Sequence, residues 1–186
     1  MTTKIKSQLF ILSMAFSFSF FSCNISDSDP IINTDIIINN AIKTPGSLKA
    51  NLLTTTYKGQ YAPKHVLAIW IESSLGTFVK TLNLNASARE KYLKNWLDAT
   101  SSENTTDAVV GATLKSHVEM SCVWDGTDIK SNIVGDGNYN LKVEFTESNS
   151  TGKVASFPFT KGTATDSQTP AAVTNITVNT LDWSPN

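Results

Sequence analysis

The chain has 186 residues, of which 15 are basic and 16 acidic, so its formal net charge is −1. A nucleic-acid-binding protein neutralises phosphates with a basic surface, and this balance excludes that class. The length suits one domain of ordinary size with additional terminal segments.

The N-terminus has the organisation of a secretory signal peptide. Lys4 and Lys6 provide positive charge, and residues 9–21 are apolar apart from interspersed serines. An apolar stretch of about 13 residues is too short to cross a bilayer, which needs roughly 20. We therefore assign residues 1–22 to a signal peptide and leave them out of the fold.

Ser22-Cys23 resembles the cleavage site of bacterial lipoproteins, in which a small residue precedes a cysteine that is lipidated and becomes the new N-terminus. Phe20 departs from the leucine that is usual in that site. The prediction is a lipid anchor on Cys23, which would place the protein in the cell envelope, in the periplasm or on the outer-membrane surface. The alternative is an ordinary secreted protein cut near the same position.

Residues 23–44 are predicted to form a tether between this anchor and the domain. Its isoleucines at 36–38 are too apolar for a pure linker, so a tether that ends in an edge strand is the second interpretation. Pro45-Gly46 marks a turn.

The chain has two cysteines. With Cys23 lipidated, Cys122 has no partner, which excludes a disulfide framework.

The first half of the domain is predicted as three strands and a helix. Residues 48–57 form a strand, and residues 65–72 are apolar on both faces, as in a central strand covered on both sides. Residues 77–84 return as its hairpin partner. Ser87 and Glu90 have capping-box spacing at the start of a helix that ends near residue 99. Its apolar stripe consists of Tyr92, Leu93, Trp96 and Leu97.

The second half is predicted as further strands. In the strand over 117–124, the inward face is Val118, Met120, Cys122 and Trp124, and the outward face is His117, Glu119, Ser121 and Val123. WDGTD, residues 124–128, is a turn from which the next strand, 139–146, folds back. Residues 154–160 form an edge strand because they contain Pro158. Residues 162–170 form a loop, and residues 173–181 form the last strand.

About seven strands with short turns and one inserted helix predict a mainly β fold. The absence of an alternating strand and helix order indicates an antiparallel β-sandwich, which we assign to residues 45–186.

Several segments carry a resemblance to a known family. They are YAPKHVLAIWIE, FVKTL, KYLKNW, DAVVGAT, His117, WDGTD, GDGNYNLKVEFTE and FPFTKG. Over about residues 61–162 the chain resembles predicted periplasmic proteins grouped as domain-of-unknown-function family 2271, which implies an immunoglobulin-like sandwich. The WDGTD to DGNY segment also resembles a hairpin in the immunoglobulin-like domain of flagellar hook-capping proteins, although residues 130–132 lack a glycine that is usual there.

DAVVGAT, residues 107–113, resembles the flavin-attachment sequence D-[GA]-x-[ST]-G-A-[ST] of exported redox proteins. There a transferase links FMN to the last hydroxyl through a phosphoester, and Thr113 stands at that position. Asp107 matches the first position, and the small residues Gly111 and Ala112 would let the transferase approach. Val110 departs from the usual Ser or Thr. Bound flavin would supply redox chemistry that side chains lack. The alternative is a tight loop that leads into the next strand.

No other segment carries a strong chemical signal. His117 and Glu119 share a face and could form half of a metal site, but zinc-binding spacing is absent. A cation site at Asp125, Asp128 and Asp136 lacks the spacing of a calcium loop, and turn formation is the favoured role of WDGTD. We predict no metal site and no catalytic group. The remaining acidic candidates, predicted to be solvated, are Glu72, Glu144 and Glu147.

Two functions follow from the sequence. The first is a non-enzymatic, lipid-anchored envelope protein with a binding or assembly role. The second is an extracytoplasmic electron carrier with covalent FMN on Thr113, which exchanges electrons with envelope redox partners. Neither needs a catalytic constellation, and the chain contains neither a G-x-S-x-G motif nor a P-loop.

Overall fold

The computed structural model describes residues 41–101 and 108–186. The predicted signal peptide, Cys23, most of the tether and Asp107 lie outside the described residues. The elements are β1 (Gly46–Thr54), β2 (Val66–Ser73), β3 (Phe78–Asn85), a 3₁₀ helix (Ser87–Tyr92), α1 (Lys94–Thr100), β4 (Val109–Gly111), β5 (Met120–Trp124), β6 (Gly137–Thr146), β7 (Lys153–Lys161), β8 (Asp166–Gln168) and β9 (Ile176–Pro185).

The described strands form two sheets that enclose a common core. Their orders are β5-β1-β9-β8 and β4-β3-β2-β6-β7. Neighbouring strands are antiparallel, except that β4 runs parallel to β3. This confirms the predicted mainly β sandwich with an inserted helix. It also confirms the edge position of β7, in which Pro158 lies.

Strand β2 is buried on both faces, as its sequence predicts. Leu67, Ile69 and Ile71 belong to the core that also contains β1 and β9 residues, so this face meets the second sheet. The alternate residues of β2 belong to a second cluster with Leu93 and Trp96 of the helical insertion. A strand of this kind needs an apolar cover on each side, and here one cover is a sheet and the other a helix.

The helical insertion begins differently from the prediction. The Ser87 side chain makes no cap hydrogen bond, and a 3₁₀ helix precedes α1. The start of α1 is held by Glu144 of β6, whose carboxylate accepts the Trp96 N–H at 2.9 Å and the Asn95 side-chain amide at 2.9 Å. Glu144 is therefore buried, and the prediction that it is solvated was wrong. A sequence pattern along one strand does not reveal the helix that covers it.

The segment after β5 is a crossover and not a hairpin. Strands β5 and β6 belong to different sheets, so the prediction that β6 folds back on β5 was wrong. The turn chemistry predicted for WDGTD is confirmed. Asp125 Oδ1 accepts the Thr127 N–H at 3.1 Å, and Asp128 Oδ1 accepts the Lys130 and Asn132 N–H groups. Gly126 between them has a φ of +76°.

The C-terminal strands are more extensive than predicted. The segment 162–170, predicted as a loop, contains the short strand β8, which pairs with β9. Strand β9 continues to Pro185, and this extension carries Trp183 into the core. The predicted core positions Ile176 and Val178 are confirmed as fully buried.

The chain enters the sandwich beside β7. Asp136 accepts the backbone N–H and the hydroxyl of Thr44 at 2.8 and 2.6 Å. The buried ammonium of Lys161 donates to the Asp136 carboxylate at 2.7 Å and to the Thr44 carbonyl at 2.8 Å. These bonds hold the last residues of the predicted tether at one end of β1.

A substitution of Trp124 tests whether the inward face of β5 is assigned correctly. It is 1% exposed, and its indole N–H donates to the Thr127 carbonyl at 2.7 Å. We expect Trp124→Ala to lower the free energy of unfolding by about 3–5 kcal/mol, measured by urea denaturation of the mature protein. Val123→Ala, at the neighbouring exposed position, should cost about 1 kcal/mol or less. Equal losses for the two variants would contradict the assignment.

Candidate functional site

One lateral edge of the sandwich combines exposed apolar residues with the DAVVGAT motif. Strand β4 ends the five-stranded sheet and β5 ends the four-stranded sheet, and β3 contacts β5 across the sandwich, so both edge strands lie on the same side. Four large apolar side chains are exposed here. We call them the valine edge: Val109, Val110, Val118 and Val123, with exposures of 68%, 64%, 51% and 58%.

The described residues of the motif lie at the end of β4. Gly111 pairs with Asn85 of β3, and a Cβ atom at Gly111 would displace the Asn85 side-chain amide. Ala112 is exposed, and Thr113 is half-buried. The Thr113 hydroxyl donates to the Ala86 carbonyl at 3.5 Å. The structure thus brings three of the four predicted attachment residues together, while Asp107 lies outside the described residues.

A cavity of about 190 Å³ opens beside the start of β4. Leu82, Val109 and Val123 provide apolar walls, and Lys80 lies among them. The Lys80 ammonium donates to Thr127 Oγ1 at 2.9 Å and to Asp125 Oδ1 at 3.4 Å. These bonds fix a positive charge in the cavity wall.

The carboxylate of Asp125 is held in its charged form. Burial alone would raise its pKa, but the hydroxyl and backbone N–H of Thr127 and the ammonium of Lys80 bring the pKa below its usual value. The charged carboxylate in turn orients the lysine.

The two histidines lie together, although the sequence placed His117 on an outward face. The His65 and His117 rings stack at a centroid distance of 4.1 Å with 3° between their planes. That prediction was wrong because β5 begins at Met120, so the alternation of a strand does not extend back to residue 117. The pairing of His117 with Glu119 also fails, since Glu119 accepts a hydrogen bond from Asn179. Val118, predicted inward, is exposed.

His117 bridges two distant segments. Its Nδ1 lies 2.8 Å from the Thr54 hydroxyl, and its Nε2 lies 2.8 Å from Glu147 Oε1. Hydroxyl, imidazole and carboxylate in this succession resemble a nucleophile with its base. Thr54 is only 2% exposed, however, so a substrate does not reach the hydroxyl. The arrangement connects β1, the segment after β4 and the end of β6.

Glu147 is buried, so its prediction as a solvated residue was wrong. Its carboxylate accepts the backbone N–H groups of Tyr57 and Gly59, each at 3.0 Å. Burial alone would raise the pKa of Glu147, but the hydrogen bonds from Gly59, His117 and Tyr57 bring it below the usual value. These partners are far from residue 147 in the chain, so no local pattern identifies this contact.

Two further residues from the sequence analysis, Glu72 and Cys122, are buried in the fold. Glu72, predicted as solvated, is 9% exposed and accepts the Trp70 indole N–H at 2.7 Å, so that prediction was wrong. Cys122 is buried as predicted, and burial raises the pKa of its thiol to about 12. A thiol in that state is a core group and not a nucleophile.

Among residues 41–101 and 108–186, no three His, Cys, Asp or Glu side chains are grouped to hold a metal ion. The three aspartates considered as a cation site have separate partners. Asp125 binds Thr127 and Lys80, Asp128 binds its own turn, and Asp136 binds the entering chain. None of the helices in this described part has the length and hydropathy of a membrane span.

A family model matches residues 48–176 and is described as a predicted periplasmic protein, domain of unknown function 2271. The matched range contains the valine edge, the cavity and the histidine pair. No curated protein and no solved structure matches the chain. The likeness to hook-capping proteins therefore stays a prediction.

His65 should make folding stability depend on pH. The pKa of His65 is lowered from 6.5 to about 4, mainly by burial and in part by the neighbouring His117, against the raising effects of the Pro63 carbonyl and Glu147. Below pH 6.5 the unfolded chain binds a proton that folded His65 binds only near pH 4. The free energy of unfolding should therefore fall by about 2–3 kcal/mol as the pH is lowered from 6.5 to 4.

The comparison is between the wild type and His65→Gln, each unfolded by urea at several pH values. The variant should lack this part of the pH dependence, whereas Glu119→Gln, at an exposed carboxylate, should retain it. Parallel curves for the wild type and His65→Gln between pH 6.5 and 4 would contradict the assignment.

Proposed function

Since the chain belongs to this family of predicted periplasmic proteins, we propose that it is an exported, lipid-anchored protein of the bacterial cell envelope whose valine edge is its binding surface. The export signal over residues 1–22 and the cleavage site at Cys23 support export and anchoring. The exposed valines support binding, because large apolar side chains exposed along one edge are typical of interaction surfaces.

The ligand that the observations favour is FMN, attached covalently to Thr113. The observation that carries this proposal is the position of the Thr113 hydroxyl, on a half-buried residue directly after an edge strand and next to exposed Ala112. Attachment to a side chain of the sandwich core would require unfolding. Attachment at this position requires only that the transferase reach the end of β4.

The departure at Val110 is compatible with attachment. Its side chain is 64% exposed and the residue pairs with Leu84 of β3, so the valine is compatible with the edge strand.

Attachment is a phosphoryl-transfer reaction, in which a phosphoanhydride is exchanged for a phosphoester. The Thr113 Oγ1 atom forms a bond to the FMN phosphorus of a flavin adenine dinucleotide donor, and the pyrophosphate bond of the donor breaks. AMP leaves, and the hydroxyl proton passes to a base of the transferase. The bound flavin would supply redox chemistry, while this chain would hold it at a fixed surface position and deliver it to partners in the envelope.

A second candidate is a binding role without a cofactor. Three of the exposed valines lie on two edge strands and favour this role, because edge strands with apolar side chains pair with other proteins. In that case the valine edge would contact an envelope protein directly, and DAVVGAT would serve only as the loop that leads to β5.

The intact mass of the mature protein tests both modifications together. The protein is co-expressed with a flavin transferase in an exporting bacterial host, and we expect a mass that includes one lipid group on Cys23 and one FMN on Thr113. Thr113→Ser should keep the flavin because it keeps the hydroxyl, and Thr113→Ala should lose the flavin and keep the lipid. Cys23→Ala should lose the lipid alone.

A wild-type protein without the flavin mass, or a Thr113→Ala protein that retains it, would exclude the flavin proposal. A mature protein without lipid would leave an ordinary secreted protein. The two results are independent because the two modified residues are distant in the chain.

A further inference from the structure

The cavity beside β4 lies where a flavin tethered to Thr113 would reach. We propose that the isoalloxazine ring docks in this cavity, between Val109 and Val123, with Lys80 as a fixed positive charge beside it. This inference rests on the proposed attachment of FMN to Thr113 and adds the binding site of its ring.

The distance between Thr113 and the cavity follows from the register of β4. Val109 is four residues before Thr113 in the chain, so an extended backbone separates them by about 13 Å. The ribityl phosphate arm of FMN covers most of this distance, and the ring extends beyond the end of the arm. Val109 pairs with Asn83, and the cavity extends from there along Lys80 to Leu82 of β3. A ring on an arm that follows β4 back from Thr113 therefore arrives at the cavity.

The chemistry of the walls suits a flat aromatic ring. Leu82, Val109 and Val123 offer branched aliphatic groups, and Trp124 closes the inner side. Pockets that enclose a small molecule measure about 300–1,000 Å³. A cavity of about 190 Å³ would hold part of the ring and leave one edge at the surface, where a redox partner can approach.

Lys80 gives the site a defined electrostatic effect. Its side chain is 10% exposed, and Thr127 and Asp125 hold its ammonium in place. Reduction adds negative charge to the flavin ring, so a neighbouring cation favours the reduced form and raises the reduction potential. Asp125 lies on the more exposed side of the lysine and offsets part of this effect.

The first experiment uses the mature, flavin-loaded protein and measures flavin fluorescence and its anisotropy. A docked ring next to Trp124 should be quenched and should rotate with the protein. Val109→Asp places a charge in the cavity wall at a position that is 68% exposed, so the fold should tolerate it. We expect loss of the quenching and a fall in anisotropy. Val154→Asp, at an exposed valine of β7 on the opposite edge, should change neither signal.

The second experiment measures the reduction potential of the bound flavin. Lys80→Gln should lower the potential, and Asp125→Asn should raise it, because the first removes the positive charge and the second removes the carboxylate that offsets it. Asp125→Asn leaves Lys80 in place, so it tests the electrostatic effect even if Lys80→Gln loosens β3.

The outcomes separate the two proposals. Covalent flavin on Thr113 that fluoresces and rotates like free FMN would overturn docking and leave the attachment intact. Equal effects of Val109→Asp and Val154→Asp, or potentials unchanged by both charge variants, would also overturn docking. Absence of covalent flavin would overturn the attachment, and docking with it.

Discussion

Burial of β2 on both faces is the constraint on which the rest of the structure depends. One face requires a second sheet, and the other requires the helical insertion between β3 and β4. The chain that returns from this insertion rejoins the sheet beside β3 and runs parallel to it. Short strand β4 therefore lies at an edge with its valines exposed. The position of the DAVVGAT motif at the surface is a consequence of covering the central strand.

Buried carboxylates connect the irregular segments to the sheets. Glu144 binds the first turn of α1, and Glu147 binds the backbone of residues 57 and 59. A buried charge is costly unless hydrogen bonds replace its hydration. Each of these carboxylates has such bonds from backbone N–H groups. The stacked histidines add a link between Glu147 and Thr54. The segment that follows Thr113 is thereby fixed to both sheets.

The elements that depend on local periodicity are predictable from the sequence. The apolar run of β2, the alternation of β6 and the apolar positions at Leu93 and Trp96 all appear where expected. The cap from Glu144 and the inward turn of His117 are not predictable, because each is decided by a residue far away in the chain. The crossover after Trp124 is also not predictable from the local sequence. Its turn residues indicate a change of direction, but they do not indicate which sheet receives the next strand.

The contacts of Thr44 with Asp136 and Lys161 fix the point at which the chain enters the sandwich. Strand β1 leads from these contacts to Thr54, and its nine residues extend about 30 Å. Thr113 lies beside Ala86, past the end of β3 that is remote from Asp136. The chain thus enters the sandwich at one pole, and Thr113 lies at the other. The Thr113 hydroxyl is therefore separated from the entry of the chain by about the length of one strand.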